Sequence, residues 1–221
     1  MEQTISPIHL ANSHKLYRLD AETFVSLWKA YSAQFVESHE WESLYDSNRD
    51  WTNTFLGKTP CNVGEFFLNY FKDGNIPFRF WREDGTFDLS FSFANDFNNV
   101  AYTYRGETDY FEPTGYPIAY DVVIEIENSL QACWQEMTKM TWVRCPLKVV
   151  VTYNTFDTLK ANEDKMLLER FSSIVAQSNS YFEDNPNTEY LLLIGYKRDN
   201  KLMWDAHVFN HDGKPKVSIV S

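Results

Sequence analysis

Two stretches of the chain are almost continuously apolar: LKVVVTY at 147–153 and the body of TEYLLLIGYKRD at 188–199. Runs of this length without a polar face mark strands covered on both sides, whereas strands of a half-wet sheet alternate. This demands layers of helix above and below a sheet, and it sets the expected class: α/β, with helices flanking a central mixed sheet. The composition can fill such layers, since 43% of the 221 residues are hydrophobic and 17% aromatic. A core of that size needs no disulfide or metal to hold it.

The remaining segments supply the layers. DAETFVSLWKAYSAQFVESHE at 20–40 opens on an Asp20 cap and places Phe24, Leu27, Trp28, Tyr31 and Phe35 at helical spacing. The following stretch to residue 60 fits a shorter helix or an ordered loop. NVGEFFLNYFKD reads as a second helix capped by Asn62 and stopped by Gly74, with Glu65 in its first turn. Beyond Pro77 the period drops to two: FRFWRED, a turn at Asp84-Gly85, then TFDLSFSF form a hairpin with one buried face. NNVAYTYRGETDYFE is a third strand, Pro113 to Pro117 a turn, and YDVVIEIEN a fourth strand. SLQACWQEMTKMTWVR is a helix with Ser129 as its cap and Pro146 beyond its end. A long helix over 162–181 and two terminal strands around Asp212-Gly213 complete a single domain over 1–221, with an N-terminal helical segment at 1–60 and a C-terminal helix and strands at 154–221.

The chemistry concentrates in the strand Asp121-Val-Val-Ile-Glu125-Ile-Glu127. Side chains two apart share a face, so Val122, Ile124 and Ile126 form the core side and Asp121, Val123, Glu125 and Glu127 the other. Alternating glutamates on a strand commonly face water. Beside an apolar strand and inside a sheet, however, like charges this close cost energy unless a cation, a proton or a basic neighbour offsets them. A divalent metal is the expected answer.

The order helix, hairpin, strand with an isolated Asp, strand bearing Glu-X-Glu, helix, buried strand resembles the core of the PD-(D/E)XK nuclease superfamily, the restriction-endonuclease-like fold. The resemblance covers about residues 62–153. It implies a metal-dependent nuclease hydrolysing phosphodiester bonds of nucleic acid, or a catalytically inactive relative that binds. Matched to that motif, Asp109 takes the place of the isolated Asp, Glu125 that of the first metal carboxylate, and Glu127 that of the usual Lys. The resemblance thus implies Mg²⁺ or Mn²⁺ on Asp109 and Glu125, with Glu65 as a further ligand. Glu127 would take a proton from the attacking water or recruit a second ion. Lys139, on the following helix, is an alternative source of the lysine. A tight hairpin at Thr114-Gly115 would set Asp109 opposite Tyr120, so its approach to Glu125 requires a longer connection centred near Pro117.

Other chemistries find no support. The cysteines Cys61, Cys133 and Cys145 have no CxxC spacing, and His207 and His211 are four apart on a strand, so zinc is not indicated. GxSxG, GxGxxG and GxxxxGK[ST] are absent, and the 8 glycines leave little for a phosphate-cradling loop. The net charge of −11 disfavours nucleic acid unless positive charge gathers in one groove, which in an acidic nuclease often takes a second subunit, as in a homo-oligomer, or another partner to complete. No signal peptide and no run of about 18 apolar residues is present, so the expectation is a cytoplasmic protein without a membrane partner.

Overall fold

The structure, a computed structural model, describes residues 17–38, 55–56, 62–76, 78–84, 87–93, 101–104, 107–110, 120–127, 129–130, 132–153, 161–182, 185–199 and 201–219. Among these, nine strands and four helices follow one another. Helices α1 (Ala21–Ser38) and α2 (Val63–Asp73) precede strands β1 (Arg79–Asp84), β2 (Phe87–Ser92), β3 (Ala101–Tyr104), β4 (Glu107–Tyr110) and β5 (Val122–Glu127). Then come α3 (Cys133–Met140), β6 (Leu147–Tyr153), α4 (Ala161–Phe182), β7 (Glu189–Arg198), β8 (Lys201–Asn210) and β9 (Pro215–Ile219).

Seven strands form one mixed sheet in the order β1-β2-β5-β6-β7-β8-β9. β5, β6 and β7 are parallel, with α3 and α4 as the crossovers that parallel neighbours require, and the hairpins β1–β2 and β7–β8 supply antiparallel neighbours. β6 is buried along its whole length, in keeping with its apolar sequence. The stretch 98–112, expected as one strand, instead contains the hairpin β3–β4, which makes a two-stranded sheet of its own.

Two cores lie on the two faces. On one, α1 and α2 press Phe24, Trp28, Phe67 and Phe71 against Leu89, Phe91, Ile124 and Val149. Trp204 joins this layer edge-on to Trp28 at 5.2 Å, its indole N–H donating to Ser32 Oγ at 2.8 Å. Much of the aromatic content is therefore packing. On the other face, α3 and α4 bring Met137, Met140, Phe171 and Val175 onto Val123, Val150 and Leu192.

Local chemistry fixes the helix starts unequally. The side chain of Asn62 accepts from Glu65 N–H at 2.9 Å, as its place before α2 suggests. α1 is capped twice: Asp20 Oδ1 accepts from Thr23 N–H at 2.8 Å, and Glu189 Oε2, from β7, accepts from Ala21 N–H at 2.9 Å. Lys216 of β9 neutralises the other oxygen of Glu189 at 2.6 Å. Ser129 does not cap α3. That helix begins at Cys133 without a side-chain cap, and the backbone carbonyl of Ser129 takes the N–H groups of Ala132 and Cys133. No helix among the described residues is long and apolar enough to cross a membrane.

Candidate active site

The acidic strand lies inside the sheet, between β2 and β6. Alternation along β5 is as its sequence suggests, with Val122, Ile124 and Ile126 in the core under α1 and α2 and Val123 in the core under α3 and α4. The face bearing Glu125 is nevertheless covered, because α3 lies over it: Glu125 is 3% exposed.

What meets Glu125 comes from β2. In the antiparallel register Leu89 stands opposite Ile124, which puts Asp88 one step along, beside Glu125. A hydrogen bond joins the two side chains, and Asp88 Oδ2 also accepts from Ile126 N–H at 2.8 Å. Above them, the Lys139 ammonium sits 2.6 Å from Glu125 Oε1 and 2.7 Å from Glu136 Oε2. Spacing of three on α3 puts Glu136 and Lys139 on one side of the helix, the side turned to the sheet. Asp88 and Lys139 are partly exposed, so the group opens to solvent on their side while Glu125 forms its floor.

Burial pushes the Glu125 carboxyl up to about 8, with Lys139 pulling down and the neighbouring charge of Asp88 adding to the rise. Glu125 therefore holds a proton at neutral pH and shares it with Asp88, whose own pKa is raised by burial and held back by the hydrogen bonds from Ile126 and Glu125. Burial works against the charge on Lys139, but Glu125 and Glu136 outweigh it and raise its pKa.

The other residues singled out from sequence lie differently. Asp109 is on β4, whose backbone pairs with β3 through Tyr102, whereas the strands hydrogen-bonded to β5 are β2 and β6. Its side chain and the connection through Pro117 lie outside the described residues. Glu127 turns to the end of its own strand, where Oε1 accepts from Ser129 N–H at 2.8 Å. Glu65 rides on α2, which packs on the opposite face, and stands 3.9 Å from Arg82. Lys139, by contrast, reaches back to β5. Asp88 is the acid that sequence reasoning passed over, although its signal was present: a lone carboxylate within the apolar and small residues of TFDLSFSF.

An all-oxygen pair such as Asp88 and Glu125 suits Mg²⁺ or Mn²⁺, ions that take one or two protein carboxylates and complete their shell with water and phosphate oxygens. Among the described residues no three acidic, histidine or cysteine side chains converge as a metal cage. Those of His207 and His211 belong to no such group, and the thiols of Cys133 and Cys145 are buried and pushed up to about 12. No protein-family model matches the chain, and no curated protein matches it.

Proposed function

We propose that Asp88, Glu125 and Lys139 form the site of a metal-dependent nuclease of the restriction-endonuclease-like type. The observation that carries this reading is the meeting of the two carboxylates across β2 and β5 with the Lys139 ammonium 2.6 Å from one of them. The order of elements in the seven-stranded sheet supports it as well: after helix α2 come β1, β2 and β5, with β2 antiparallel to both neighbours and the separate β3–β4 hairpin inserted before β5, then helix α3 and the parallel strand β6. On this reading Asp88 replaces Asp109 as the isolated Asp, and the lysine comes from α3 rather than from the third position of the Glu-X-Glu triplet.

Asp88 and Glu125 would hold the ion. Mg²⁺ or Mn²⁺, when bound, supplies positive charge to the scissile phosphate and lowers the pKa of a water. Glu125 must lose its proton to serve as a ligand. Lys139, freed from part of its pairing with Glu125, can donate hydrogen bonds to a phosphate oxygen or to the attacking water, and Glu136 keeps its ammonium in place. Glu127 is engaged with the backbone at Ser129 and contributes the start of the turn into α3.

A second reading has its own support. Lys139 and Asp88 already satisfy Glu125, whose side chain is 4% exposed, as a purely structural polar group in a binding protein would have it. Incubation of supercoiled plasmid and of single-stranded DNA and RNA with the protein in Mg²⁺ or Mn²⁺ separates the two. Metal-dependent cleavage that falls at least ~100-fold in Asp88→Asn, Glu125→Gln and Lys139→Ala is expected, each variant remaining folded. Absence of cleavage, together with no calorimetric Mn²⁺ binding, would leave the binding protein.

A further inference from the structure

The parallel strands gather their N-terminal ends at the edge of the sheet away from Glu127, and a second feature lies there. The residues leading into β5, β6 and β7 (Asp121, Pro146 and Thr188), the segment after α3 and the segment into α1 enclose a cleft of about 920 Å³. That is within the size range of small-molecule sites, and the nuclease reading makes no use of it.

Three observations define what it fits. Trp142 projects from the end of α3 with 77% of its surface exposed, in a chain whose Trp28 and Trp204 are packed in the core. An indole face left in water gains from being covered by another flat ring. The cleft is also positive within an acidic protein of net charge −11, since Arg18 and Arg144 both line it. Arg18 is held in place by donating to the carbonyl of Asn187, which fixes a planar cation at the wall. The one carboxylate among the described lining residues, Asp121, is turned inward: its Oδ2 accepts from Phe93 N–H at 2.7 Å. Within the cleft itself two arginines thus stand against one carboxylate that is already engaged.

We propose that this cleft binds a planar base carrying a phosphate, with Trp142 stacking on the base and Arg144 and Arg18 taking the phosphate. Two sources offer that chemistry, a free nucleoside 5′-monophosphate and the 5′-phosphorylated end of a strand. Neither requires a metal, so the proposal stands apart from the Asp88–Glu125 group.

The test is calorimetric titration of the full chain in EDTA with adenosine 5′-monophosphate and, separately, with a 5′-phosphorylated oligonucleotide. Adenosine and ribose 5-phosphate serve as half-ligands. Saturable binding of at least one phosphorylated base is expected, with each half-ligand at least ~10-fold weaker. Trp142→Ala and Arg144→Gln should each weaken it at least ~5-fold. Both side chains are exposed, so the variants should keep the wild-type melting temperature, and Arg144→Lys should restore part of the affinity. Binding of the mononucleotide alone assigns the site to free nucleotides, and binding of the oligonucleotide alone or of both assigns it to strand ends. No binding of either up to millimolar concentration, or binding indifferent to both Trp142→Ala and Arg144→Gln, overturns the proposal.

Discussion

A carboxyl buried against a neighbour of like charge ties its proton to the fold. In the unfolded chain Glu125 titrates near its ordinary 4.5, and in the folded protein near 8. Because the folded pKa is the higher one, the contribution of Glu125 to stability is fully present below pH 4.5 and declines as pH rises through about 8. The unfolding free energy of the wild type in urea should accordingly fall between pH 5 and pH 9, by an amount of order a few kcal/mol. Glu125→Gln, which keeps the shape and cannot ionise, should flatten that slope; parallel profiles for the two proteins would refute the assignment. The same proton opposes metal, so Mn²⁺ affinity should climb over this interval, with proton release visible as a buffer-dependent heat.

At the scale of elements, the connections carry constraints of their own. The turn between β8 and β9 docks on α4: Gly213 has φ 77°, its carbonyl accepts from Ser172 Oγ at 2.6 Å, and a Cβ there would lie 2.9 Å from Ala176 N and closer still to Ser172 O. Gly213→Ala should therefore cost about 1–3 kcal/mol in chemical denaturation. Gly74, at the end of α2, has φ −82°, and a methyl group there would find its nearest neighbour at 3.6 Å, an ordinary contact. Gly74→Ala should shift stability by no more than about 1 kcal/mol.

Elements were also what the sequence disclosed most readily. The period-two pattern of β2 and β5 and the apolar run of β6 follow from side-chain geometry alone, and so do the helical spacings of α1, α2 and α4. Pairing partners were not disclosed. The polar side of TFDLSFSF reads as a wet face because alternation says nothing of the neighbouring strand, yet Ser90 and Ser92 are buried and Asp88 meets Glu125. The cap expected at Ser129 failed for a related reason: the Glu127 side chain binds the Ser129 N–H, and the turn satisfies the first N–H groups of α3 through backbone carbonyls.

For the molecule as a whole, the charge of −11 sets a background of self-repulsion. Monovalent salt screens it, so the melting temperature at pH 8 should rise between low salt and 0.5 M NaCl. A dication bound at Asp88 and Glu125 adds stabilisation by mass action beyond screening. Millimolar MgCl₂ or MnCl₂ should therefore raise the melting temperature above that in NaCl of equal ionic strength, and Asp88→Asn should remove the excess. Equal melting temperatures in the two salts would count against a bound ion. The α/β layering was legible from two apolar runs, but the face on which each helix lies depends on contacts such as those of Phe67 and Met137, which a linear pattern leaves open.

The two grips on Glu189 set an order for synthesis on the ribosome. Helix α1 is made early, but the carboxylate that binds its first N–H belongs to β7, and the ammonium that balances that carboxylate belongs to β9. While the chain is still emerging, α1 has its own Asp20 cap but lacks the Glu189 contact, and that second grip can close only once β7 and β9 have left the exit tunnel.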